Sequence, residues 1–251
     1  VTHHAVLAIC YTAALLGWWA LARSRRDLWP AGAATVFARP WRELLLGFVA
    51  VLAILGLGQL YQHDIKLPVA QGGWSAVLAE TANQLLIYSP VLWLVVLRRQ
   101  PGSTLLVPGD HLPLRIGFGF GLGIAAAVTY VLLRPGAPGP IAALAAVFAP
   151  ANVKHLAQVT MEDLTIAMLA VRATAALGAG WRVPVLVGVL FAAGHVPAML
   201  GNGVALAGMA SLLLDAALAV GVIRLLLLGR DVTWFFGLHF AMDMTQYLAP
   251  A

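Results

Sequence analysis

Charge is scarce in this chain. Acidic and basic residues make up 10% of its 251 positions, lysine occurs 2 times against 13 arginines, and there is 1 cysteine, Cys10. A single cysteine excludes an intrachain disulfide framework and any cysteine-based metal site. So little charge excludes an ordinary soluble domain, in which about a quarter of the residues are charged. The basic residues are scattered singly between apolar stretches. Despite a formal net charge of +5, they form no patch that would track a nucleic acid. Alternation of apolar and polar residues is missing as well, which argues against a membrane barrel.

What the chain has instead is apolar sequence: 61% of residues are hydrophobic and the mean hydropathy is +0.89. A hydrocarbon layer about 30 Å thick takes about 20 apolar residues per helical crossing, and a helix satisfies its own backbone there. Apolar runs at 5–22, 43–60, 74–97, 114–133, 156–178, 183–200, 204–228 and 232–249 predict an all-α, polytopic transmembrane bundle of about eight helices. The connections are short and rich in Pro and Gly, as in the stretch from Arg134 to Pro140, so residues 1–251 read as one membrane-embedded domain.

An N-terminus placed outside the membrane puts all but Lys66, Arg134 and Lys154 of the basic residues at inner ends, where Lys and Arg belong. The C-terminus is then outside too. The eight tryptophans sit mainly near run ends, at interfacial depth. The excess of arginine, alanine, glycine and leucine points to a GC-rich bacterial genome and hence to a bacterial inner membrane, with lipids as surroundings. No internal repeat is visible, which disfavours a transporter of inverted halves.

Ionisable groups inside apolar runs are costly and mark functional candidates. Glu80, with Asn83 and Gln84 nearby, lies in the third run, Glu162 and Asp163 in the fifth, His195 in the sixth, Asp215 in the seventh, and His239 and Asp243 in the eighth. Four-residue spacing puts His239 and Asp243 on one helix face, and likewise Phe191 and His195, with the phenyl ring beneath the imidazole. Adjacent Glu162 and Asp163 point about 100° apart and cannot both face one reacting atom. Two chemistries fit Glu162, His195, His239 and Asp243. In one, Glu162 and His195 deprotonate a water while His239 and its neighbour stabilise an oxyanion, with no cofactor required. In the other, the same four side chains hold a divalent metal that activates the water.

The segments "EDLTIA" (162–167), "FAAGH" (191–195) and "HFAMD" (239–243), in this order on successive late helices, resemble the CPBP family of intramembrane proteases. That group includes the CAAX prenyl endopeptidase and the bacterial Abi proteins. Its motifs are Glu-Glu-x-x-x-Arg, Phe-x-x-x-His and His-x-x-x-Asn or Asp. The resemblance covers 150–250; the helices of 1–140 match by hydropathy alone. It implies Glu162 as the water-activating base, His195 as its partner, and His239 with Asp243 as the pair that stabilises the oxyanion or otherwise forms the site.

Asp163 takes the place of the second acid, which in the family pairs with the arginine of the same motif. Here Ala167 occupies the arginine's position, and Arg172 lies on the opposite face of the same helix, two to three turns away. Unless a partner comes from elsewhere, Asp163 is expected to be neutral or turned toward water. The resemblance thus implies an intramembrane peptidase, a hydrolase acting on membrane protein or peptide substrates. The missing arginine also fits a catalytically impaired relative that serves as a structural or assembly subunit of a membrane complex.

Overall fold

The computed structural model describes residues 3–27, 29, 35–69 and 72–248; residue 249, where the last apolar run ends, lies outside them. Each apolar run becomes helix, because a chain this poor in polar side chains has only its own backbone to satisfy its amides. The described residues form eleven α-helices in order: α1 (His3–Ser24), α2 (Pro40–Gln62), α3 (Gly73–Ile87), α4 (Ser89–Val96), α5 (Leu112–Leu133), α6 (Pro140–Val147), α7 (Val153–Leu177), α8 (Arg182–Gly194), α9 (Val196–Gly201), α10 (Ser211–Gly229) and α11 (Thr233–Met244). No strand occurs among the described residues. Five helical segments are long and apolar enough to cross a membrane, and a sixth is the pair α6–α7 taken together, bent by 48° at its break. Large apolar side chains such as Leu52, Leu132 and Leu213 point outward. Outward apolar surface on long apolar helices is the mark of an integral membrane protein.

Prolines cut two runs that read as continuous. Pro90 separates α3 from α4 at Tyr88, and Pro197 separates α8 from α9 at His195. In both cases the break residue stands two positions before the proline, whose missing N–H and bulky ring end the preceding turn. Helix α6 lies outside the eight runs.

Two helix pairs meet backbone to backbone. Gly119 and Gly123 of α5 face Gly237 of α11 so closely that a Cβ on Gly119 would lie 1.9 Å from the Trp234 carbonyl oxygen. A Cβ on Gly188 of α8 would lie 3.0 Å from the amide nitrogen of Val220 on α10. Small residues at such crossings permit the close approach that drives helix association in lipid. The α5 contact buries nearly all of α11, against which Trp18 of α1 stacks on Trp234 at 4.4 Å.

One end of the bundle is latched by buried polar groups. Asp231 accepts from Trp29 Nε1 at 2.8 Å, from Arg115 Nη1 at 3.0 Å, and from the backbone N–H and hydroxyl of Thr233 at 2.8 and 2.6 Å. Beside this group, Glu43 accepts from Arg98 and Gln100, and fully buried Arg172 donates to Gln100 and to the Met168 carbonyl oxygen. These contacts tie the ends of α1, α2, α4, α5, α7 and α11 together and leave the other end to the candidate site.

Candidate functional site

Helix α7 carries both acids of the opening motif. The 100° between successive residues sends them into different spaces. Glu162 lines a cavity of about 280 Å³ walled by α2, α7 and α8, together with Tyr88, Gln158, Thr165 and His195. Asp163 lines a second cavity, of about 310 Å³, together with His3, His4 and Tyr11 of α1, Asp215 of α10, and His239, Asp243 and Gln246 of α11. Ile166, Phe191 and His195 border both cavities and form the partition between them.

In the first cavity, His195 Nε2 lies 3.9 Å from Glu162 Oε1. That is too long for a direct hydrogen bond and short enough for one water to touch both groups. His195 Nδ1 is 3.0 Å from the Phe191 carbonyl oxygen, an acceptor only, so Nδ1 carries a proton, and when the ring is neutral Nε2 turns its lone pair toward Glu162. The ring of Phe191 meets the imidazole edge-on, with centroids 4.8 Å apart, as the spacing predicted. The break before Pro197 exposes this face of His195: half of its side chain is accessible, against about a fifth of Glu162's.

In the second cavity, Asp163 has a partner that the sequence did not disclose. His239 Nδ1 donates to Asp163 Oδ1 at 2.8 Å, across 76 residues. The acid that lacks an arginine at Ala167 is therefore paired by an imidazole from α11, and it is fully buried rather than turned toward water. Arg172 faces away from it, as its position on the helix predicted, and serves the Glu43 network instead. Phe235 stacks on His239 at 5.1 Å and fixes the plane of the ring. With Nδ1 committed to Asp163, His239 Nε2 offers a lone pair when the ring is neutral and a donor only when it is protonated. Asp243 lies one turn further along and accepts from Gln246 at 3.1 Å.

The structure thus brings Glu162 to His195, and His239 to Asp163 and Asp243, as two neighbouring groups with His195 on the shared wall. Among the described residues, no three of the His, Cys, Asp or Glu side chains gather where one ion could bind, so Glu162, His195, His239 and Asp243 as placed do not surround a common point. Glu80 accepts from the Tyr61 hydroxyl, and Asn83 clasps the backbone of Leu67 in both directions, with bonds of 2.8 and 3.2 Å. These side chains hold α2, α3 and the intervening loop together. Asp215 joins the second cavity from α10.

Asp163→Ala is expected to destabilise the protein by about 2 kcal/mol, because it leaves the His239 N–H buried without an acceptor. Asp163→Asn, whose carbonyl oxygen still accepts from Nδ1–H, is expected to lose less. Thermal unfolding in detergent checks both, and equal melting of wild type and the alanine variant would show that the pair contributes nothing.

Sequence reasoning missed Asp231 and Arg115, the Glu43 network, and the cavity-lining His3, His4, Tyr11, Tyr88 and Gln158. The shared position of Tyr88 and His195, each two residues before a proline inside an apolar run, was a signal that could have singled out Tyr88. No family model matches the chain, and neither does any curated protein or solved structure.

Proposed function

We propose that this chain is a CPBP-like intramembrane peptidase of a bacterial inner membrane, built on eight crossings with both termini outside, that hydrolyses peptide bonds near the membrane with activated water. The observation that carries the reading is the 3.9 Å approach of His195 Nε2 to Glu162 Oε1 in a cavity. A water between them donates one hydrogen to the carboxylate and one to the Nε2 lone pair, which leaves its own lone pair for a substrate carbonyl. On attack, its proton passes to Glu162, the C–O bond forms and the carbonyl becomes an oxyanion. Collapse of that intermediate breaks the C–N bond, and Glu162 returns the proton to the leaving amine. His239 and Asp243 form the neighbouring part of the site, with Asp163 fixing the tautomer and tilt of His239.

Glu162→Gln and His195→Ala are each expected to lower cleavage of a membrane-peptide library by about 10²-fold or more, the usual contribution of a positioned base. Equal background from wild type and both variants would sink the proposal. A scheme in which His195, His239, Glu162 and Asp243 hold a divalent metal predicts bound metal in the active wild type, lost in Asp243→Ala.

Ala167, in the place of the family arginine, favours a second reading, a catalytically impaired relative serving as a structural or assembly subunit. Co-purification with one membrane complex at fixed stoichiometry, with no cleavage, would establish it.

A further inference from the structure

Hydrolysis by water in the Glu162 cavity develops negative charge on the substrate carbonyl oxygen, and a dry site needs a hydrogen-bond donor aimed at it. His239 points its Nδ1–H at Asp163 and lines the other cavity. Of the side chains that line the Glu162 cavity, four carry an N–H or O–H group: Tyr88, Gln158, Thr165 and His195. The Thr165 hydroxyl is spent on the Met161 carbonyl oxygen at 2.7 Å, and the His195 Nδ1–H on that of Phe191 at 3.0 Å, while His195 Nε2 is the atom that the proposed mechanism gives to the attacking water. Tyr88 and Gln158 remain.

Their placement fits the task. Tyr88 sits at the α3–α4 break with backbone angles (φ −89°, ψ 3°) close to those of His195 at the α8–α9 break (φ −82°, ψ −18°). The two breaks therefore present a phenol and an imidazole to the same space from different helices. The phenol and Glu162 line the same cavity. Gln158 stands one turn before Glu162 on the same face of α7.

We propose that the Tyr88 hydroxyl is the oxyanion donor of the Glu162 cavity, with the Gln158 amide as the second donor. The assignment rests on the peptidase reading and makes Tyr88 a catalytic residue of that reaction. It also separates the labour of the two cavities, because the oxyanion is then held on the same side of the partition as the attacking water.

The experiment measures kcat and KM on a library peptide for the full-length protein in detergent or nanodiscs. Tyr88→Phe is expected to lower kcat by about 10²-fold, the effect of deleting one oxyanion donor, with KM unchanged, and Gln158→Leu to lower it less. Incorporating 3,5-difluorotyrosine at position 88 provides a form that keeps the shape of the side chain, so it stands even if the phenylalanine variant folds poorly. Because the fluorinated phenol is a stronger hydrogen-bond donor, kcat is expected to change at unchanged KM, which a packing role would not produce. Wild-type kcat in Tyr88→Phe, a loss confined to KM, or an unchanged kcat in the fluorinated form overturns the assignment, while an inactive Glu162→Gln leaves the peptidase reading standing. Absence of cleavage by wild type overturns both.

Discussion

Asp231→Ala is expected to cost about 5 kcal/mol, the upper range for breaking a buried ion pair, and to leave little folded protein after extraction in detergent. The carboxylate is completely buried and both of its oxygens are fully used: Oδ2 by Trp29 and Arg115, Oδ1 by the N–H and hydroxyl of Thr233. Alanine removes four hydrogen bonds at once and strands a guanidinium that is 2% exposed. The remaining partner of Arg115 is Asp110, whose carbonyl oxygen accepts from Nε at 3.0 Å but whose carboxylate, at 3.3 Å, is more than half exposed to solvent. The backbone donor at Thr233 lies in the first turn of α11, so one of that helix's otherwise unpaired amides also loses its acceptor. Asp231→Asn retains the shape and one acceptor oxygen and is expected to fall between the two, at about 2 kcal/mol. Unfolding by heat or by a denaturing detergent measures the difference, and a melting curve for Asp231→Ala within a degree or two of wild type would refute the latch.

Gly119→Ala is expected to cost about 3 kcal/mol or more, at the high end for overpacking. The added methyl would lie 1.9 Å from the Trp234 carbonyl oxygen and 2.9 Å from the Trp234 Cα, and the obstruction is backbone rather than a side chain that can rotate away. The two helices can accept it only by moving apart, which also opens the contacts of Gly123 with Gly237. Gly117 and Gly121 supply the control. A Cβ at either meets nothing within 4 Å, so alanine there, relieved of glycine's helix penalty of about 1 kcal/mol, is expected to leave stability unchanged or raise it. Three single variants, melted side by side, decide the point. Similar losses at 117, 119 and 121 would mean that a general intolerance of α5 to substitution, and not the crossing, is responsible.

The contrast between those neighbouring glycines illustrates what the sequence discloses. Hydropathy marks α5 as an apolar helix, and spacing shows that Gly119 and Gly123 share a face. Nothing in the pattern tells which helix that face meets. The same limit governed the site. The 100° between Glu162 and Asp163 correctly separated their directions, and four-residue spacing correctly joined Phe191 to His195. The partner of Asp163, 76 positions away on α11, lay beyond any local rule. Looking for a counter-ion within one turn of Asp163 led to Ala167 and the expectation of an unpaired acid, whereas lateral packing provided His239.

Arg115 and Arg172 were legible only as positive charges near helix ends, because their partners Asp231 and Gln100 lie between the apolar runs, where attention to buried charge does not reach. Helix α6 escaped because its eight residues, framed by prolines, are too few to register as a crossing. The breaks at Tyr88 and His195 were hidden for the opposite reason: hydropathy continues straight through Pro90 and Pro197, while the backbone does not.

The two glycine crossings have a mechanical consequence. Close approach at the glycines leaves little side-chain volume between the helices, so α5 with α11 and α8 with α10 each pack as one beam. The cavity of His239 and Asp243 has α8 and α10 on one side and α11 on the other, with α1 and α7 completing its wall. His195 rides on one beam and His239 on the other. The spacing of the two histidines therefore follows the spacing of the two helix pairs.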